Sequence, residues 1–279
     1  MTLRLNKSNL VTHIILLTFA GLMIYPLLWL VSSSLKPNEE IFSTMGLIPS
    51  TIEWSNYVKG WTAMPRLPFS VFFRNSLFVA TMAVIGEVLV ASLVAFGFAR
   101  MEFRLKKPLF ALLLLTMMLP SQALLVPQYI VFKNLGWVGS YLPLVVPPFF
   151  GGAFFIFLMV QFMRGIPRDL DEAAKLDGCG PFQIYWRILM PLSQPALASV
   201  AIFSFLWTWN DFLHPVIYIS DPKKFTIPLA LRLFMDNSQA VSWGGMFAMS
   251  ALSILPNLAI FLFFQKHFVE GITAGGLKG

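Results

Sequence analysis

Apolar residues are gathered into six stretches, each long enough to cross a membrane as a helix. A crossing of roughly 30 Å of hydrocarbon needs about 20 helical residues. A backbone at that depth must form its hydrogen bonds within the protein, as a helix does. The sequence therefore predicts an all-α polytopic membrane protein with six transmembrane helices. The predicted spans are 11–31, 75–98, 108–127, 142–162, 195–219 and 243–264.

Composition excludes several other classes. Residues of the AVILMFWYC set make up 57% of the chain and charged residues 12%, so a soluble fold of 279 residues would expose large apolar patches. Cys179 is the single cysteine, which excludes an internal disulfide and a cysteine-rich metal site. The sequence has no basic run with interleaved aromatic residues, so we expect no nucleic-acid partner.

Lys and Arg residues indicate the orientation, because cytoplasmic loops of membrane proteins are enriched in them. The tightest basic cluster, from Arg100 to Lys107, lies in the short loop after the second span. With an even number of spans, both termini share the side of this cluster, which we expect to be cytoplasmic. The same side holds a polar segment, residues 169–191. The long outer loop 32–74, rich in Pro and aromatic residues, predicts a folded cap on the membrane surface.

The polar segment, DLDEAAKLDGCGPFQIYWRILMP, predicts two short helices with a tight break between them. Asp169 and Glu172 have the spacing of a capping box. Gly178 suits the left-handed residue that ends a helix. Pro181 fits a first helical turn, and Pro191 predicts the end of the second helix. A polar helix pair between two spans is suited to holding another protein outside the bilayer.

Several residues of this segment resemble the EAA loop of importer-type ABC permeases. The resemblance lies in the run from Glu172 to Ala174, followed by Gly178 and then by Pro191. In that family the loop forms short cytoplasmic helices that dock in a groove of the ATPase subunit and transmit its closure. The resemblance assigns ATPase coupling to Glu172, Ala173, Ala174, Asp177, Gly178 and Pro191.

Two further runs are similar to the maltose-permease-type carbohydrate subfamily, and within it to the shorter, six-span member of the permease pair. They run from Trp209 to Leu213 and from Glu270 to Gly279. The resemblance implies a type I ABC importer fold with cytoplasmic coupling helices, in a bacterial or archaeal cytoplasmic membrane. Residues 1–74 would form a cytoplasmic head, the first helix and the outer loop; residues 75–265 would form the permease domain and residues 266–279 a cytoplasmic tail.

The same resemblance implies a function and a set of partners. We expect a permease subunit that translocates a sugar or oligosaccharide by alternating access, driven by ATP. The expected partners are a second permease subunit that completes a heterodimer, a cytoplasmic ABC ATPase dimer, an extracytoplasmic solute-binding protein and membrane lipid. Two other interpretations stay open, an ABC importer permease for an amino acid or ion and an ATP-independent secondary transporter. The second would require internal repeats, and the sequence shows none of fixed period.

The residue types of the polar segment fit a docking role. Ala173 and Ala174 lack bulk, so another backbone can come close to the first helix. Glu172 suits either a helix cap or a docking residue, and one residue can do both. On the second helix, an apolar set at helical spacing is expected to pack under the membrane domain. That set is Phe182, Tyr185, Trp186 and Leu189.

No catalytic site is predicted. The sequence contains no G-x-x-x-x-G-K-[ST] phosphate loop, so we expect ATP hydrolysis on a separate subunit. His13, His214 and His267 are isolated in the sequence, and no paired carboxylates have a catalytic spacing. We therefore expect a non-catalytic subunit with no metal and no cofactor.

Ionisable residues at membrane depth are costly, and they are candidates for the substrate pathway. Glu87 lies in the middle of the second span, where a hydrogen bond between helices is the alternative role. Asn210 and Asp211 lie beside Trp207 and Trp209, a combination that suits sugar hydroxyls and ring faces. The alternative for this pair is a polar cluster that packs helices together.

Pro120 predicts a break in the third span where a cavity runs, because freed backbone groups at depth need partners. Gln122 follows this break and is a further, weaker candidate. The complete set of predicted pathway residues is Asn210, Asp211, Trp209, Gln122 and Glu87.

Overall fold

The computed structural model describes residues 7–44, 46–64, 66–236 and 242–276, without the side chains of residues 7–9, 236 and 265–276. His267 and the whole of the predicted tail 266–279 therefore lie outside the described side chains. All regular structure within the described ranges is helical, which confirms the all-α prediction. The helices are α1 (Lys7–Ser34), α2 (Ser55–Trp61), α3 (Ser70–Arg100), α4 (Lys106–Met117), α5 (Ser121–Asn134), α6 (Leu142–Val145), α7 (Ala153–Gly165), α8 (Asp169–Leu176), α9 (Pro181–Leu192), α10 (Gln194–Trp209), α11 (Leu213–Tyr218), α12 (Ile227–Asp236) and α13 (Trp243–Gly276).

The six predicted spans correspond to four apolar segments without a sharp bend and two bent helix pairs. The helices α4 and α5 meet at 103°, and α9 and α10 meet at 76°. Each pair is long and apolar enough to cross a membrane if it is taken as one span. The four other segments are Leu10–Ser34, Ser70–Arg100, Leu142–Gly165 and Trp243–Phe264.

The break in the third predicted span lies at Pro120, as its sequence predicts. Pro120 has extended backbone angles, φ −65° and ψ 126°, and it lacks the N–H that would continue a helix. The helix α4 therefore ends at Met117, and α5 begins at Ser121. The chain remains helical to Asn134, beyond the predicted end of this span at residue 127.

The fifth predicted span, 195–219, is too long at its C-terminal end. Its helix α10 ends at Trp209. The Asn210 side chain donates a 2.7 Å hydrogen bond to the Leu206 carbonyl, which the Asn210 backbone N–H also reaches at 3.2 Å. Asp211 then accepts a bond from the His214 N–H at 3.2 Å, two residues before the separate helix α11 begins at Leu213. A continuous helix fails here because two short polar side chains compete for backbone hydrogen bonds.

The chain divides into two compact units, and the first contains Met1–Ser70 and Leu231–Leu255. In this unit the loop after α1 is folded. The Asn56 side chain donates to the carbonyls of Ser34 at 3.1 Å and Lys36 at 2.9 Å. Lys36 is fully buried, and its ammonium group donates to a backbone carbonyl at 2.6 Å. These buried contacts fix the loop because each polar group has a local partner.

The second unit contains Val71–Ala230 and Pro256–Gly279. Its main core joins α3, α7, α8, α9 and α10, and small residues on α3 let the other helices approach closely. A second cluster joins the first half of α3 to α6 and α11. The helix α3 thus runs from one cluster to the other. The fully buried residues of the main core include Ala91, Ala95, Met159, Val160, Met163, Leu189 and Val200.

Candidate functional site

The polar segment folds as two helices, α8 and α9, around a tight break at Gly178. This residue has φ +80°, in the left-handed region, which confirms the prediction for this position. The Gly178 N–H donates to the Lys175 carbonyl at 3.0 Å, and the Cys179 N–H donates to the Ala174 carbonyl at 2.9 Å. These two bonds form a Schellman motif, which satisfies carbonyls at the end of α8.

The predicted capping box at Asp169 and Glu172 is wrong. The residue before α8 is Arg168, and no side chain caps this helix end. Asp169 and Glu172 both lie in the first turn, where their charges suit the positive end of the helix dipole. A capping bond forms at α9 instead, where the Gly180 N–H donates to the Gln183 side chain at 2.9 Å.

Pro181 lies in the first turn of α9, as predicted, but Pro191 does not end that helix. A π-helical turn covers Tyr185–Leu189, and α9 then continues through Pro191 to Leu192. A proline inside a helix lacks one hydrogen bond and crowds the carbonyl four residues earlier. The wider π turn provides the space that this requires.

The face of the polar segment that packs against the main core is fixed to α3 at two points. The Arg100 Nε lies 2.9 Å from an Asp171 carboxylate oxygen, and the two side chains are 5% and 9% exposed. Arg100 also donates to the Ile166 carbonyl at 2.8 Å. Further along α3, the hydroxyls of Ser92 and Tyr185 lie 2.9 Å apart in a buried hydrogen bond. Sequence reasoning missed the Arg100–Asp171 pair, because it treated Arg100 as a loop charge.

The loop after α3 carries a second ion pair, between Lys106 and Glu102. The Lys106 Nζ donates to the Glu102 carboxylate at 2.9 Å, and this hydrogen bond lowers the pKa of Glu102. The Glu102 side chain is 77% exposed, so solvent screens the interaction. The buried Arg100–Asp171 pair is therefore the stronger link at this end of α3.

The opposite face of the polar segment is exposed and partly apolar, and we call it the docking face. Glu172 and Ala173 are exposed on α8, whereas Ala174 is buried in the main core. An exposed apolar patch rimmed by polar residues is typical of a protein interaction site. Its large apolar members are Leu170 (42% exposed), Leu176 (90%), Phe182 (70%) and Trp186 (57%).

Two of the four apolar residues predicted to pack under the membrane domain do so. Tyr185 and Leu189 are 4% and 0% exposed, which confirms the prediction for them. The prediction is wrong for Phe182 and Trp186, which lie on the docking face. Residues four apart share a helix face. Tyr185 and Leu189 therefore lie on one face of α9, and Phe182 and Trp186 lie on another.

A cavity of about 200 Å³ lies in the second unit among α3, α5, α6, α10 and α11, and Asp211 lines it. The His214 Nδ1 lies 2.8 Å from the Asp211 carboxylate, so the prediction that His214 is isolated is wrong. Their spacing of three residues, at the start of a helix, is a signal that sequence reasoning could have used. Tyr218 and Thr226 are also among the lining residues, although their hydroxyl oxygens are buried away from the cavity and have no hydrogen-bond partner among the described residues.

The other predicted pathway residues do not line this cavity. Trp209 is 3% exposed, and its ring stacks on Phe205 with 5.2 Å between ring centres. Asn210 is exposed, and its side-chain oxygen accepts a 3.1 Å bond from Asn257. Gln122 is exposed in the first turn of α5. Their place in the substrate pathway stays a prediction.

The Glu87 side chain extends from α3 to the start of α7, where the fourth predicted span is interrupted. A short 3-10 turn ends at Gly151, which has φ +80°. The Glu87 carboxylate then accepts a 2.8 Å bond from the Gly152 N–H. A carboxylate there satisfies a backbone donor and suits the positive end of the helix. The contact matches the alternative role for Glu87, a hydrogen bond between helices.

The comparison with protein families gives one match that covers most of the chain. Residues 87–273 match the family described as "Binding-protein-dependent transport system inner membrane component". Within the described side chains, no group of three or more His, Cys, Asp or Glu residues could hold a metal ion.

Two relatives and one solved structure resemble nearly the whole chain. The arabinooligosaccharides transport system permease protein AraQ of Bacillus subtilis is 32% identical, over 92% of this chain and 92% of that protein. The maltose/maltodextrin transport system permease protein MalG of Photorhabdus laumondii is also 32% identical, over 97% and 96%. A chain from a bacterial ABC transporter involved in the import of the acidic polysaccharide alginate shares the fold, with a TM-score of 0.83 and 20% identity over 96% and 99%.

Proposed function

The chain belongs to the family of binding-protein-dependent transport system inner membrane components, and we propose that it translocates a sugar or oligosaccharide as the permease subunit of an ATP-driven importer. The observation that carries the proposal is the two-sided polar segment. One face is fixed to α3 by buried polar contacts, and the docking face exposes large apolar side chains. Such a segment can receive a partner protein and pass its movement to a membrane helix.

The docking face receives the ATPase subunit. Glu172 and Ala173 are exposed there, and Ala173 leaves room for another backbone. Gly178 sets the angle between α8 and α9, and Asp177 is exposed beside it. An ATPase can drive the permease between two states when it binds those states with different affinity. The docking face supplies the contacts for that difference.

The chain is a multi-pass membrane protein, and we place both termini and the polar segment in the cytoplasm. The basic residues around the loop after α3 support this orientation. A second permease subunit, an ATPase dimer and an extracytoplasmic solute-binding protein complete the importer. The names of the relatives, which carry arabinooligosaccharides and maltose or maltodextrin, support a sugar as the solute.

Reconstitution tests the proposal directly. A tagged chain, expressed with its genomic neighbours and purified in mild detergent, should retain an ATPase and a second permease. The complex in proteoliposomes, with its binding protein and ATP, should take up radiolabelled maltotriose, arabinotriose or galactotriose. Omission of ATP should abolish the uptake. A complex that holds no ATPase, or that takes up none of these sugars, would contradict the proposal.

A further inference from the structure

A shallow groove of about 290 Å³ lies between α3, α4 and α7 in the second unit. Its wall is apolar apart from Thr116, whose hydroxyl is satisfied within α4 by a 2.7 Å bond to the Leu113 carbonyl. Gly151 and Ala153, beside the start of α7, leave one end of the groove without bulk. All of the lining residues fall within predicted spans, so the surrounding solvent is hydrocarbon. Such a groove suits an acyl chain.

The groove runs inward from the loop after α3. Phe98 and Leu109 line its loop end, and the Phe98 ring packs against Phe103 and Phe110 at 5.8 and 5.5 Å. Thr116 lies about 10 Å further along α4, because seven residues separate it from Leu109. The groove therefore extends from the membrane surface toward the interior of the bilayer, as the acyl chain of a lipid does.

Basic side chains gather at the loop end of this groove. Lys106 and Lys107 begin α4 within one turn of Leu109, and Arg104 precedes them in the loop. Lys106 pairs with the exposed Glu102 at 2.9 Å. Arg104 and Lys107 are exposed, and neither forms an ion pair with a carboxylate among the described residues. Two cations beside the groove are therefore available to an anion from outside the chain.

Two further features of this end favour an anion. No side chain caps α4, so the positive end of this helix has no acceptor from a side chain. Arg164, in the last turn of α7, lies over the Phe110 ring at 4.8 Å and adds a cation beside the start of α4. Basic pockets between membrane helices on the cytoplasmic side are typical sites for the headgroups of anionic lipids.

We propose that this groove binds an anionic phospholipid of the cytoplasmic leaflet. The phosphate lies beside Arg104 and Lys107, where the two cations have no carboxylate partner. One acyl chain follows the groove past Leu112 to Thr116. A zwitterionic lipid has the same chains without the net negative charge, so the site prefers the anionic lipid. The inference rests on the orientation given with the proposed function, and it goes beyond that function because the lipid is not the solute.

Quenching by lipids with brominated acyl chains reports which lipid occupies the groove. A bimane label is placed at Leu115→Cys in a Cys179→Ser background. Leu115 is 58% exposed, outside the groove lining and next to Thr116. The matched label is at Val131→Cys on α5, which is 53% exposed and outside the groove lining. Each complex, copurified with its ATPase, is reconstituted in dioleoylphosphatidylcholine vesicles with a minor fraction of brominated phosphatidylglycerol or brominated phosphatidylcholine.

The measured quantity is the ratio of the association constants of the two brominated lipids at each label. We expect a ratio of about five to twenty at Leu115, because each nearby Lys or Arg contributes about fivefold. The double variant Arg104→Gln with Lys107→Gln should lower this ratio at least about fivefold. Lys133→Gln, which removes an exposed cation at the far end of α5, should leave it unchanged. The ratio at Val131 should be close to one.

A ratio near one at Leu115, or a high ratio that the double variant leaves unchanged, would overturn the lipid site. Weak quenching by both lipids at Leu115 would overturn it in favour of the partner permease as the occupant of the groove. An equal preference at Val131 would overturn it in favour of a general excess of anionic lipid around the complex. The measurement needs neither ATP nor sugar, and both leaflets contain the brominated lipid. Its failure would therefore leave sugar import and the orientation intact.

Discussion

Asp171 and Glu172 are adjacent acidic residues on α8 with opposite surroundings. Asp171 is 7% exposed and pairs with Arg100 at the end of α3. Glu172 is exposed on the docking face. One carboxylate therefore anchors the helix to its own chain, while the next is available to meet a partner. Substitutions at the two positions should have different consequences, on stability at Asp171 and on docking at Glu172.

The change Glu172→Lys reverses the charge at the docking face and should weaken ATPase binding. We expect about fivefold less ATPase to copurify, because like charges placed across an interface repel. The control is Glu102→Lys, which makes the same charge change at an exposed position outside the polar segment. The measurement is the ratio of ATPase to permease after affinity purification. Normal sugar-stimulated ATP turnover in Glu172→Lys would rule out its docking role.

The change Asp171→Asn should destabilise the protein by about 3–5 kcal/mol, because it leaves the buried Arg100 charge unpaired. The double variant Arg100→Met with Asp171→Leu should recover most of that loss, since it replaces the pair with apolar groups. Thermal unfolding of the purified chain in detergent measures both effects. As a control, Glu102→Gln breaks an exposed, solvent-screened pair and should leave the midpoint of thermal unfolding close to the wild-type value. Equal midpoints for Asp171→Asn and wild type would show that the pair is not structural.

Backbone conformation could be predicted where a local motif determines it. The EAA-like run and Gly178 are recognised within a few positions of each other, and the structure confirms the backbone of Gly178. The Arg100–Asp171 pair and the lining of the cavity could not be found in this way. Each depends on residues far apart in sequence that only packing brings together.

At the scale of elements, α9 shows what the spacing of apolar residues can and cannot predict. Its apolar residues predict a helix, and the helix forms. Periodicity alone does not say which of two apolar faces meets the chain's own core. The structure assigns Tyr185 and Leu189 to the core and leaves Phe182 and Trp186 exposed. An apolar helix face that the chain's own core leaves exposed is a structural signal of an interaction with a second protein.

The break between α8 and α9 depends on the backbone of Gly178. The change Gly178→Val should leave the chain inserted in the membrane and remove most uptake, because a β-branched residue at φ +80° costs about 1–2 kcal/mol or more. A Cβ added at this position would meet no described atom within 4 Å beyond its chain neighbours, so the effect is on the backbone and not on packing. Proteoliposome uptake and ATPase copurification measure it.

The control for this variant is Gly180→Val, two residues further along the same turn. Gly180 has φ −73° and ψ 166°, extended angles that suit a β-branched residue. Uptake by Gly180→Val should stay close to the wild-type value. If both variants lose uptake equally, the cause is bulk at the docking face rather than the left-handed backbone of Gly178.

At the scale of the whole chain, the second unit has the polar segment near one end of α3 and the cavity toward the other. The helix α10 follows α9 after a sharp bend and reaches the cavity at Thr208. In the proposed function, these two helices would link the docking face to the cavity. An importer driven by a cytoplasmic ATPase then requires that the docking face lie on the cytoplasmic side, separated from the outer loop 32–74 by an odd number of membrane crossings.

The single cysteine tests that arrangement without altering the polar segment. Cys179 lies between α8 and α9 and is partly exposed. A membrane-impermeant maleimide should label it in inverted membrane vesicles and fail to label it in intact cells or right-side-out vesicles. Bound ATPase should slow the labelling, because the docking face is then covered. Labelling from the outside would invert the orientation and remove the docking face from any cytoplasmic ATPase.

The matched control moves the thiol to the predicted outer loop, as Ile48→Cys in a Cys179→Ser background. Ile48 is 87% exposed in the folded loop of the first unit, so the new thiol is accessible. Its labelling pattern should be the reverse, with reaction in intact cells and no change when ATPase is bound. Reaction of both thiols from one side would mean that an even number of crossings separates the two loops. Because the Arg100–Asp171 pair keeps the polar segment on the same side as the C-terminal end of α3, α3 would then not cross the membrane, and the six-span arrangement would be overturned.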